Sequence, residues 1–393
     1  MIFEGRPLRQ IMEADIRRVI DGGIAEHLHL EYKSEIYAND HEGGREQLLD
    51  TCMFANALGG ILLIGISEQR DVNGQPTGIP DPAAQLGVQL QNPEQLLQSY
   101  DGRVLSCVED RLHVESAPIP VAGDRFVLAF RVNTSTNKPH RVWYRGHTYF
   151  PSRRERQRYE MDVREIKELT MRTASQLERA EQTLLNKINL EVRGGNDVLL
   201  TAGLMPVFFQ DFLINAKDQN ILQALARLDV SGRHLVENVS YSFEGVVRPD
   251  TMNSRATITL MRNGLIRLRH LIPGRQVEPN QRPVIYAGII DRLIRRFVTG
   301  VWNLYDIAAV SAPVMLAAKL SIPGAFVAAY GEPPFFDTTV IGPADFQFSP
   351  ILIDAIERPF DKAIQPLCDH IHQSFGRQAS PNFDGAGNWI GVE

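Results

Sequence analysis

The stretch HLHLEYKSEIYAND, residues 27–40, follows Glu26 directly and carries Glu31 and Lys33 two positions apart. Leu28, Leu30 and Tyr32 alternate with His29, Glu31 and Lys33, a strand-like pattern that projects Glu31 and Lys33 to one face. Glu68 stands just past ILLIGIS, in a strand that an intervening helix can lay beside the first. Carboxylates gathered in this way bind Mg²⁺ or Mn²⁺ through hard oxygen ligands. Such an ion activates a nucleophile and stabilises charge on a phosphodiester, and Lys33 adds positive charge at the phosphate. Glu26, Glu31 and Glu68 are therefore candidate metal ligands, and with Lys33 they form the candidate catalytic set. The chain has 47 acidic residues, and a second explanation stays open: surface acids paired with Lys or Arg at little energetic gain.

A second constellation is basic and aromatic. The run KPHRVWYRGHTYFPSRRERQR, residues 138–158, holds seven basic residues against the single acid Glu155, a net charge of +6 in a chain whose formal charge is -6. Arginines grip phosphates and aromatic rings stack on unpaired bases. The candidate nucleic-acid-binding residues are Lys138, Arg141, Trp143, Tyr144, Arg145, Arg153, Arg154, Arg156 and Arg158. The competing explanation is a solvated hairpin whose aromatics belong to the core and whose arginines pair with acids of the following helix.

Other chemistries find no support. No G-x-x-x-x-G-K-[ST] occurs, so no ATP site is evident, and neither G-x-S-x-G nor HExxH is present. His370 and His372 lie near Cys368 and Asp369, but a spacing of two puts them on different helix faces, which suits surface or packing roles. Three cysteines, Cys52, Cys107 and Cys368, form no C-x-x-C pair, so zinc and disulfide scaffolds are not expected and a reducing cytoplasm is. MIFEGRPLRQ has no apolar signal region. SAPVMLAAKLSIPGAFVAAY is interrupted by Pro313, Lys319 and Pro323 and reads as two buried strands, so no membrane association is expected.

The elements that position these residues follow from hydrophobic period and turn signals. Helices are expected over about 6–21, 45–58 and 91–106, and strands over 27–36 and in ILLIGI, which the glycines of FANALGG separate from the helix before it. VNGQPTGI reads as a turn-rich exit. RLHVESAPIP and RFVLAFRV alternate as strands, and RVWYRG with HTYF makes a hairpin. A helix over about 162–189 leaves the first domain, and VRGGND marks the boundary. Beyond it, Asn263-Gly264 between alternating runs signals a hairpin. A long amphipathic helix is expected over about 284–310, with Arg292, Arg295, Arg296 and Asn303 opposite its apolar side. A helix over about 350–375 follows the loop GEPPFFD, and the tail RQASPNFDGAG is expected to be loose. The division expected is residues 1–172, a helical linker 173–195, and a second α+β domain over 196–393 that regulates or self-associates.

ExxxxEYK at 26–33, FANALGGILLIGISE at 54–68 and KPHRVWYRGHTYFPSR at 138–153 together resemble the Schlafen AlbA-like domain, over roughly residues 10–170. The resemblance implies an α+β fold with a mixed sheet and nucleic-acid binding, with RNA favoured over DNA. In ribonuclease members two glutamates of the first block and an acid after the GG strand form a metal-dependent site for cleaving transfer or ribosomal RNA. Those positions are Glu26, Glu31 and Glu68 here, with Lys33 beside them. Glu68 stands where active members tend to carry aspartates. The function implied is a metal-dependent endoribonuclease of bacterial defence or stress response. The alternative is a non-catalytic DNA- or RNA-binding regulator with a ligand-responsive C-terminal half.

Overall fold

The structure, a computed structural model, describes residues 3, 6–190, 197–209, 213–228, 230, 239–249, 255–274, 282–308, 310, 312–330, 337–353 and 360–391. The chain divides into two compact units, Met1–Gln176 and Leu177–Glu393. Both are α+β. The boundary segment VRGGND (192–197) and the Pro-Phe loop GEPPFFD (331–337) fall, but for their last residues, on 192–196 and 331–336, outside the described residues.

In the first unit, α1 (Glu13–Asp21) begins at Met12 instead of continuing from residue 6, because the Asp15 carboxylate accepts the Met12 amide and restarts the helix after a short turn at Leu8–Gln10. β1 (Leu30–Lys33) is shorter than the alternation suggested. Asp40 caps α2 (His41–Asn56) by accepting the Gly43 amide at 2.8 Å. The helix ends at Ala57, and β2 (Gly60–Ile64) starts within four residues. Both glycines of that turn are required by their surroundings: a Cβ on Gly60 would collide with the Phe54 ring, and Gly59 has φ +74° with Thr134 N 2.8 Å from a Cβ.

VNGQPTGI is more than an exit: β3 (Glu68–Arg70) and β4 (Pro76–Pro80) pair across it as a short antiparallel hairpin. β5 (Val88–Gln89), α3 (Pro93–Cys107), β6 (Val108–Glu109), β7 (Val114–Val121) and β8 (Arg125–Val132) follow. β1 runs parallel to β2, while β2, β5 and β7 all pair antiparallel to β8, which makes the sheet mixed. Leu30, Tyr32, Ile61 and Leu63 face α1, whereas Leu62 and Ile64 face α2 and α3. Burial on both sides is why ILLI reads as an unbroken apolar run. β9 (Arg141–Tyr144) pairs with β10 (His147–Tyr149), and β11 (Pro151–Arg154) with β12 (Gln157–Glu160), giving two consecutive hairpins before α4 (Val163–Ile188).

The second unit is built on an eight-stranded antiparallel sheet. Its central strand β13 (Val198–Pro206) lies between β17 (Ile266–Ile272) and β19 (Val314–Ile322). β16 (Ala256–Met261) flanks β17 across the Asn263-Gly264 turn. One face packs on three helices, Gln219–Arg227, Gly288–Ile307 and Asp361–Ser374. The middle helix buries Ile290, Leu293, Ile294, Phe297, Val301, Leu304 and Tyr305. It starts later than the periodicity suggested, since Val284–Tyr286 pairs in parallel with Phe326–Tyr330. The helix expected from residue 350 begins only at Asp361, and Ile351–Ile353 is a strand on the edge of β19.

The tail expected to be loose is docked. Ser380 Oγ and Asn382 Nδ2 donate to the buried Asp291 carboxylate at 2.7 and 2.8 Å, and Phe383 packs edge-on against Trp389. A polar sequence concealed this, because the anchor is a buried acid 89 residues upstream.

Candidate functional site

Glu31 and Lys33 lie on the α2 side of β1, and α2 places Asp50 opposite them. Lys33 Nζ lies 3.3 Å from Glu31 and 3.0 Å from Asp50. Burial opposes the ammonium charge, but Asp50 and Glu31 outweigh it and hold the Lys33 pKa above its ordinary value. Asp50 also accepts from Tyr37 Oη at 2.9 Å and from Arg158, whose other nitrogen reaches Glu46 at 2.8 Å.

β11 packs on α2 and delivers Arg153, whose side chain is fully buried. Its guanidinium donates to Glu31 and, at 3.1 Å, to the Leu30 carbonyl, and it lies 5.3 Å from the Phe54 ring centre. Glu31 is 13% exposed and is held by two cations, Arg153 and Lys33.

Glu26 and Glu68 meet at a different point. The Glu26 amide donates to the Gly78 carbonyl, and the Glu68 carboxylate accepts the Gly78 amide, both at 2.7 Å. The Glu26 carboxylate accepts the Tyr32 amide at 2.7 Å. Burial pushes its pKa up to about 7 against that hydrogen bond, and the charges of Glu68 and Glu31 add to the rise. Arg156 lies over Gly78, whose φ of +76° and missing Cβ make room for it; its guanidinium donates to the Thr77 carbonyl at 2.6 Å.

Glu26, Glu31 and Glu68 thus share a neighbourhood without converging as ligands. Glu31 commits both oxygens to cations, and Glu26 and Glu68 each commit one oxygen to a backbone amide. Among the described residues, no group of three or more His, Cys, Asp or Glu side chains is arranged to hold a metal ion. In this arrangement the residues do not fit a three-carboxylate Mg²⁺ or Mn²⁺ centre.

The basic run is divided by the fold. Lys138 is buried, donates to the Ala57 carbonyl at 2.9 Å and to Thr134 at 3.1 Å, and is brought down to about 8 by burial and the nearby Arg172 charge. Arg153 is buried and Arg158 is half-buried against Asp50 and Glu46. Lys138 and Arg153 lie inward of the surface, and Arg158, though partly exposed, is committed to Asp50 and Glu46. Arg141 pairs with Glu109, and Tyr144 packs against the cluster around Leu48 and Val104. Trp143 is 52% exposed, and Arg145 and His147 are exposed beside it at the hairpin tip. Arg154 is 72% exposed beside Glu165, and Arg156 is exposed at the second tip.

Two site residues carried no label in the sequence. Asp50 sits among apolar neighbours in LLDTCMFAN, and only its burial reveals it as the hub for Lys33, Tyr37 and Arg158. Asn56, within FANALGG, is 3% exposed; its amide nitrogen donates to the His140 and Pro151 carbonyls at 2.9 and 2.8 Å, and its oxygen accepts the His140 amide. It fastens both hairpins to α2. A lone amide ending an apolar helix was the available signal.

A family model described as Schlafen, AlbA_2 matches residues 26–162. No curated protein matches the chain. Among solved structures, the N-terminal domain of a RecG-related protein from Nitrosomonas europaea is 20% identical, covers 37% of this chain and 90% of its own, and superposes with a TM-score of 0.27.

Proposed function

We propose that this chain, whose residues 26–162 match the Schlafen AlbA_2 family model, is a nucleic-acid-binding regulator that holds RNA without cutting it. One observation carries this reading: the basic run is split between an inner half that neutralises the acids of the first block and an outer half left at the surface. Arg153 and Lys33 occupy Glu31, so Glu31 acts as the counter-charge of a buried guanidinium. Trp143, Arg145, His147, Arg154 and Arg156 remain for a ligand. An exposed indole stacks on unpaired bases, contributing about 1–3 kcal/mol per base. Arg154, itself 72% exposed, exchanges its half-buried partner Glu165 for a phosphate at little cost, since surface pairs are worth about 0–1 kcal/mol. RNA, with its loops and bulges, presents unpaired bases more often than duplex DNA.

The test is binding of a labelled single-stranded RNA by the full chain. Wild type binds with an affinity that falls as salt rises, and the double variant Trp143→Ala, Arg145→Ala binds weakly. Equal binding by both proteins rules out the first hairpin tip as the contact.

A second reading, a metal-dependent endoribonuclease of the transfer- or ribosomal-RNA class in bacterial defence or stress response, is favoured by one observation. Glu26 is pushed up to about 7 by burial first, and the negative charges of Glu68 and Glu31, which a bound cation would offset, add to the rise. It requires Glu31 to leave Arg153. Total RNA incubated with the protein in Mn²⁺ or in EDTA separates the readings: discrete fragments in Mn²⁺ alone support the nuclease, and intact RNA in both supports the regulator.

A further inference from the structure

The sheet of the second unit has two unlike faces. Along β17 the burial alternates: Ile266, Leu268, His270 and Ile272 face the helices, and Arg267, Arg269 and Leu271 face the other way. On that outer face the last turns of α4 cover only one end, where Leu184 and Ile188 pack with Met205, Met261 and Met315. Arg267 closes the helix end by donating to the Lys187 carbonyl at 3.1 Å, and it pairs with Glu244.

Beyond that point the register aligns one polar row across four strands. Thr257 lies opposite Arg269, Arg269 opposite Thr201, and Thr201 opposite Lys319. Neighbouring strands are about 4.8 Å apart, so Arg269 and Lys319 flank Thr201 at a separation that two long side chains can close over one small group. Thr201 is 5% exposed at the base of the row.

Arg269 is the anomaly. It is half-buried, yet among the described residues it makes no hydrogen bond or ion pair. Its pKa lies below the ordinary arginine value through burial first and the Arg267 charge second. A guanidinium that has lost part of its hydration, beside a like charge and without a carboxylate among the described residues, is destabilised unless an anion joins it. Lys319 has a neighbour, Asp345, at 3.4 Å, but that carboxylate is 63% exposed and is readily displaced.

We propose that the row Thr257–Arg269–Thr201–Lys319 is an anion site for the phosphate group of a small phosphate-bearing ligand. Two full positive charges suit a dianion better than a single carboxylate, and a planar guanidinium with threonine hydroxyls suits tetrahedral phosphate oxygens. The second unit thereby acquires a ligand chemistry of its own, and pyrophosphate binding is read separately from RNA binding.

The experiment is isothermal titration of inorganic pyrophosphate into the full chain at low salt, with succinate as the dicarboxylate control. Pyrophosphate binds wild type, succinate binds more weakly, and Arg269→Gln weakens pyrophosphate binding at least about tenfold. Arg269→Gln folds at least as stably as wild type, because it removes an unpaired, half-buried charge; Lys319→Gln is the second variant and weakens binding in the same direction. Equal affinities in wild type and both variants, equal binding of succinate, or loss of RNA binding in Arg269→Gln with no pyrophosphate binding by wild type would each overturn the proposal.

Discussion

Glu31→Gln separates the two readings of the first block by the sign of one stability change. The Arg153 side chain is fully buried and Glu31 is 13% exposed, so removing the carboxylate charge leaves a buried guanidinium without its counter-ion. Breaking a buried pair from one side costs about 3–5 kcal/mol. The amide keeps its carbonyl oxygen as an acceptor, and Lys33 retains Asp50, so the lower end of that range applies. For a unit spanning Met1–Gln176, about 3 kcal/mol lowers the melting temperature by about 6–12 °C. A metal centre requires the opposite result: carboxylates crowded without an ion repel one another, and in EDTA the variant melts at or above the wild-type temperature. The assay is differential scanning calorimetry in EDTA, following the transition of the first unit. The double variant Glu31→Leu, Arg153→Met restores most of the loss, because an apolar pair of similar volume replaces a buried ion pair at little cost. A Glu31→Gln protein as stable as wild type refutes the counter-charge argument.

Glu26 makes stability depend on pH. Its folded pKa of about 7 lies above the ordinary 4.5, so the folded state binds the extra proton and stability falls as pH rises through that window. Glu26→Gln flattens the slope between pH 4.5 and 7 and stabilises the protein at pH 8, measured by urea denaturation at each pH. Asn56→Ala removes three buried hydrogen bonds and leaves the His140 amide and the Pro151 carbonyl without their Asn56 partner, at a cost of about 2–4 kcal/mol in urea unfolding. Arg154→Ala with Arg156→Ala flattens the plot of log K against log salt for single-stranded RNA by about 0.7 for each phosphate no longer neutralised, read by fluorescence anisotropy.

The elements around the first block were legible because local signals agreed with tertiary needs. The glycines after FANAL terminate α2 and admit Phe54 and Thr134, so a turn signal and a packing requirement coincide. The Asn263-Gly264 hairpin was equally plain. Failures came where distant partners decide. Val284–Tyr286 shares the helical periodicity of Gly288–Ile307, but a parallel partner at Phe326–Tyr330 claims it as a strand. The polar tail gave no sign of Asp291. The acids showed the same limit: composition and spacing brought Glu26, Glu31 and Glu68 into one region, but could not reveal that Arg153, from a hairpin 122 residues away, reaches Glu31. Nor could the sequence separate the basic run into its buried and exposed halves, since the alternation on β9 and the inward turn of β11 are set by packing on α2.

The most direct measurement is photocrosslinking of a 4-thiouridine-labelled RNA to the full chain, with the crosslinked peptides mapped by mass spectrometry. Binding by the exposed half of the basic run places the crosslinks on residues 141–148 and 154–156, with Trp143 the principal site, and leaves the RNA uncut in Mn²⁺. Crosslinks confined to other parts of the chain, or RNA cleaved in Mn²⁺ and intact in EDTA, would contradict it.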